Sequence, residues 1–139
     1  DSRTDEMAIG YFGAGTGGGA ALVAAAELGH RIKAVVARGG RSDLAGSALP
    51  LITAPTLLIV GELDYPVIAM NRNALNQLRC EKSSQIVPGA THLFEEPGTL
   101  EKVGRLAADW FAKHFPVRKF NDYRSWQWSR SNNFANDGH

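Results

Sequence analysis

Two stretches of this sequence hold side chains that could move a proton. Asp64 closes Gly61-Glu62-Leu63-Asp64, and His92 sits in Val87-Pro88-Gly89-Ala90-Thr91-His92-Leu93-Phe94-Glu95-Glu96. A carboxylate beside an imidazole fixes one ring tautomer and stabilises the charged ring, which suits a general base. A third stretch, Gly13-Ala14-Gly15-Thr16-Gly17, has the spacing of a nucleophile elbow, Gly-x-Ser-x-Gly, with glycine where serine would stand. The chain order is turn, acid, base. The same turn also reads Gly-x-Gly-x-x-Gly at Gly13, Gly15 and Gly18, a pattern that receives a dinucleotide pyrophosphate. In that alternative, Arg38 and Arg41 would meet the 2′-phosphate of an NADP-type dinucleotide, and Asp64 and His92 would have no task.

The elements that must position these residues follow from apolar runs and breakers. Met7–Phe12 is a short apolar run and predicts a strand, followed by a glycine turn over Gly13–Gly19. An alanine-rich helix is expected from Gly18 to Leu28, with Gly29 as its stop. Ile32–Ala37 predicts a second strand and Thr56–Val60 a third. Residues 42–54 show no period and contain Gly46 and Pro50, so a loop with one helical turn is expected. Pro66 opens a helix running to about Arg79, with Val67, Met70, Ala74, Leu75 and Leu78 at helical spacing. Ser84–Val87 is a fourth strand. A last helix follows Pro97-Gly98, with Leu100, Val103, Leu106, Ala107, Trp110 and Phe111 on one face, and Pro116 ends it.

Strands alternating with helices predict an α/β fold, a mostly parallel four-stranded sheet flanked by helices, with the strands in sequential order. Reactive loops then gather at the strand C-terminal ends. Asp64 and His92 would occupy neighbouring loops there, with the glycine turn on the same rim. Residues 1–115 form the expected domain. Residues 116–139 are polar, with scattered aromatics and arginines, and read as an irregular tail.

Composition narrows the function classes. The 139 residues are 44% hydrophobic, enough for one small core, and the net charge is +1. That charge implies no field for nucleic acid or an anionic membrane. Cys80 is the one cysteine, so no internal disulfide can form, which fits a cytoplasmic protein. No apolar run approaches the roughly 20 residues of a membrane span. His30 and His114 lie far along the chain from His92, Glu95 and Glu96, so neither metal nor cofactor is expected. The chain starts Asp1-Ser2-Arg3-Thr4-Asp5-Glu6, without an initiator methionine, and reads as a piece of something longer.

Taken together, Met7–Gly19, "APTLLIVGELD" over Ala54–Asp64 and "VPGATHLFEEPG" from Val87 resemble the C-terminal half of an α/β-hydrolase of the dienelactone-hydrolase-like group. The resemblance covers about residues 5 to 115. It implies hydrolysis of a carboxylic ester or a related acyl or lactone bond in a small-molecule substrate. It makes Asp64 the triad acid, His92 the general base, Gly15 the nucleophile position and the Thr16 amide an oxyanion donor. Two departures follow. Gly15 has no side chain to attack with, so the usual covalent route is closed and only slow activation of water by Asp64–His92 is expected. The family's N-terminal half, with its neighbouring strands and second oxyanion amide, is not represented. The apolar edge at residues 7–12 is therefore expected to pair with a second copy, giving a homo-oligomer. A non-catalytic, self-associating remnant is the third reading.

Overall fold

A computed structural model describes residues 9–115. Met7, Ala8 and the tail at 116–139 lie outside the described residues, and so do the expectations that fall on them. The elements are β1 (Ile9–Ala14), α1 (Thr16–Leu28), β2 (Ile32–Arg38), β3 (Thr56–Gly61), α2 (Tyr65–Gln77), β4 (Lys82–Val87) and α3 (Thr99–His114). The four strands are parallel in the order β1-β2-β3-β4. The α/β class and sheet topology expected from the sequence are thus present.

The sheet forms where apolar side chains run without interruption. All six residues of β3 are buried, and β2 is buried except at Lys33 and, in part, Arg38. Strands this apolar must be covered on both faces. On one face α3 packs Val103, Ala107, Trp110 and Phe111 against Val36, Leu57 and Ile59. On the other, Leu22 and Ala25 of α1 and Ala74 of α2 meet Val35, Leu58 and Leu49. β4 is an edge strand with one fully buried residue, Val87. β1 lies at the other edge, and β2 is its one strand neighbour among the described residues.

Several local expectations are corrected. The glycine turn is shorter than its composition suggests, and α1 begins at Thr16, with Gly17–Gly19 in its first turn. Glycine costs a helix interior roughly 1 kcal/mol against alanine. Here contact with the sheet offsets that cost. A methyl on Gly18 would stand 2.9 Å from the Cα of Gly40, and one on Gly13 would overlap the carbonyl of Gly17. Residues 42–51 are a 3-10 segment broken at Gly46, whose φ is 46°. The break and the tighter winding explain why no α period shows there. Buried Leu49 and a buried Ser42 Oγ–Asn71 Oδ1 hydrogen bond of 3.0 Å hold the segment against α2. On α3 the predicted face loses Leu100, which is exposed, and gains Thr99, whose hydroxyl donates to the Glu96 carbonyl at 2.8 Å. Among the described residues no helix is long and apolar enough to cross a membrane.

Candidate functional site

The C-terminal ends of the strands bring three loops to one rim. At the exit of β3 the chain turns tightly, the Asp64 amide donating to the Gly61 carbonyl at 3.0 Å. Asp64 thereby lands just before α2. An aspartate at that position often caps the helix through its side chain. This one makes no side-chain cap bond. Its Oδ2 lies 2.6 Å from His92 Nδ1 instead. Asp64 is buried, with 8% of its side chain exposed, whereas 47% of the His92 side chain meets solvent. A carboxylate can only accept, so Nδ1–H donates and Nε2 is left as the basic nitrogen. Nε2 has no hydrogen-bond partner among the described residues.

The elbow stands across the exit of β2 from this pair. Gly15 has φ 57° and ψ −125°, a backbone state that side-chain-bearing residues seldom adopt. Three main-chain bonds hold it there. Its amide donates to the Arg38 carbonyl at 3.2 Å, and its carbonyl accepts from Gly18 at 3.1 Å and from Arg41 at 2.9 Å. A Cβ added at Gly15 would have nothing within 4 Å, so the nucleophile position is open space. Next to Arg38, a methyl on Gly39 would stand 3.5 Å from the His92 ring. Residues 38 and 39 therefore touch the elbow on one side and the imidazole on the other. Thr16 is the first residue of α1, and its amide has no acceptor within the helix. Asp64 and His92 are joined directly, and Gly15 and Thr16 share their rim.

Other candidates fall elsewhere. Cys80 Sγ is 3.7 Å from the Thr56 hydroxyl, at the start of β3 and thus the opposite end of the sheet. Among the described residues no group of three or more His, Cys, Asp or Glu side chains is placed to hold a metal. Arg41 is paired with Asp43 through Nε at 3.0 Å and Nη2 at 2.9 Å. That bond raises the arginine's pKa and lowers the aspartate's. Arg38 lies over the Phe94 ring, 5.0 Å from its centroid. The dinucleotide alternative finds little support here. A doubly wound sheet binds its ligand where the strand order reverses, and the order among the described residues is sequential throughout.

The sequence reading missed the residues that support the imidazole. Phe94 is 3% exposed and is the one non-glycine residue with positive φ, 55°, among the described residues. Glu62 Oε1 accepts from the Gly89 amide at 2.8 Å. Glu96 takes the Thr91 amide at 3.0 Å and the Thr91 hydroxyl at 2.6 Å. An aromatic inside a polar loop was the available signal for Phe94; the two glutamates look like solvated charges in the sequence.

Comparison with known proteins gives two kinds of relative. No family model matches the chain. Two Mycobacterium tuberculosis proteins, from strains CDC 1551 / Oshkosh and ATCC 25618 / H37Rv and provisionally named phosphoribosyl transferases, are each 56% identical over 111 residues. The match takes in 80% of this chain and 25% of each of those proteins. A crystal structure of dienelactone hydrolase from Anabaena variabilis ATCC 29413 is 58% identical with a TM-score of 0.77. It covers 83% of this chain and 53% of that one. The chain thus spans a quarter of the curated relatives and about half of the solved hydrolase.

Proposed function

We propose, from the premise that this chain is the later half of an α/β-hydrolase domain of the dienelactone-hydrolase-like kind, that its rim hydrolyses a carboxylic ester or a related acyl or lactone bond with water as the nucleophile. The observation that carries this reading is the 2.6 Å Asp64–His92 contact beside an elbow with no side chain. His92 Nε2 takes a proton from water as the water oxygen bonds to the acyl carbon. Charge on the former carbonyl oxygen is met by the Thr16 amide at the positive end of α1. The intermediate then expels its alcohol, which leaves with the proton held by His92. Asp64 keeps Nδ1–H donating throughout and stabilises the imidazolium.

A serine attacks from a fixed position, whereas water must be captured from solvent at each turnover. Turnover is therefore slow. The test is p-nitrophenyl acetate hydrolysis by the full chain and by His92→Ala. The expected result is a rate above buffer that falls to the buffer rate in the variant. An unchanged rate in His92→Ala removes the general base and the reading with it.

A further inference from the structure

The loop bearing His92 has no regular secondary structure, yet its imidazole must stay aligned on Asp64. Three sets of contacts fix that loop. The first joins it to the acid loop. The Leu63 amide donates to the Ala90 carbonyl and the Glu62 amide to the Val87 carbonyl, both at 3.0 Å, while the Glu62 carboxylate accepts from the Gly89 amide at 2.8 Å. The second closes the loop on itself. Glu96 accepts from both the amide and the hydroxyl of Thr91, the residue immediately before His92. The third lies just beyond the imidazole, where the Phe94 amide donates to the Thr91 carbonyl at 3.2 Å and the Phe94 ring is buried.

Charge-assisted bonds to carboxylates are the stronger members of this set. They grip main-chain amides at Gly89 and Thr91, on the chain leading into His92. We infer that Glu62 and Glu96 are positioning residues: together they clamp the chain before His92 so that Nδ1 stays on Asp64 and Nε2 is left free to take a proton. Neither touches the reacting atoms. The Thr91 hydroxyl and amide also hold the Glu96 carboxyl below the usual glutamate range, which favours its charged form. The catalytic meaning of the clamp rests on the proposed hydrolysis, whereas its geometric meaning does not.

The ring 15N shifts of His92 in the full chain report its tautomer whether or not the ring proton exchanges with solvent. The parent is expected to show the Nδ1–H tautomer. Glu62→Ala and Glu96→Ala should each move the ring toward the Nε2–H form, and Glu96→Gln, which keeps one acceptor, should return part of the shift. Thr91→Val removes the hydroxyl donor alone and should give a smaller shift in the same sense. It carries the reading if an alanine variant does not fold. Residual ester hydrolysis should fall about tenfold in kcat with KM little changed. A parent without the Nδ1–H tautomer, or folded alanine variants with parental shifts, overturns the clamp. A parent with no hydrolysis but with the expected shifts overturns the proposed reaction and leaves the clamp standing.

Discussion

The elbow after β1 and the imidazole loop after β4 share one rim but differ in what holds them. The elbow is a main-chain object. Its three hydrogen bonds use backbone atoms of residues 15, 18, 38 and 41, and its tightness comes from glycines in contact with backbone. Nothing in that network depends on which side chain sits at position 15. The imidazole loop adds side chains to its main-chain bonds, and Glu62, Glu96, Thr91 and a buried Phe94 all take part in fixing it. The elbow geometry therefore persists with glycine in the attacking position, whereas the loop depends on particular residues.

The largest expected effect comes from attacking the backbone contact itself. Gly13→Val would drive side-chain atoms into the Gly17 carbonyl and should cost more than about 3 kcal/mol, read as a lower urea midpoint. A midpoint near the parent's would mean that the elbow yields, and the contrast would fail.

Gly15→Ser should be milder for stability and large for chemistry. The position has room, so the cost is backbone strain alone, about 1–3 kcal/mol. Ester turnover should rise by about 10²-fold, with a pre-steady-state burst from an acyl-enzyme. A folded variant with parental turnover would show that the elbow is not aimed at His92.

The smallest effect separates the two regions by pH. The Glu96 carboxyl is held below its usual 4.5 by the Thr91 bonds, so its contribution is full above that value and is lost as pH falls through the lower folded value. Amide exchange at Thr91 should therefore accelerate in acid, relative to the intrinsic rate, while Gly18 and Arg41 keep their protection. Equal loss at all three would place the loop and the elbow in one cooperative unit.

The same division explains what could be read from the sequence. Continuous apolar runs mark β2 and β3, and sequential parallel order then puts Asp64 and His92 in neighbouring loops. Those features are local in sequence. The start of α1 at Thr16 was hidden because glycine there serves a contact with Gly40, more than twenty residues away. Asn71 sits at a core position of α2 because Ser42 supplies its hydrogen bond, a pairing no helical period encodes. Phe94 adopts a positive φ because burial and the Arg38 guanidinium hold its ring in place, and composition alone predicts neither.

Among the described residues, each strand after β1 pairs with the one made just before it. A nascent chain leaving the ribosome can therefore add strands one at a time, each closing a single crossover. Pulsed deuterium labelling during refolding should find β2 and β3 amides protected no later than that of Thr91.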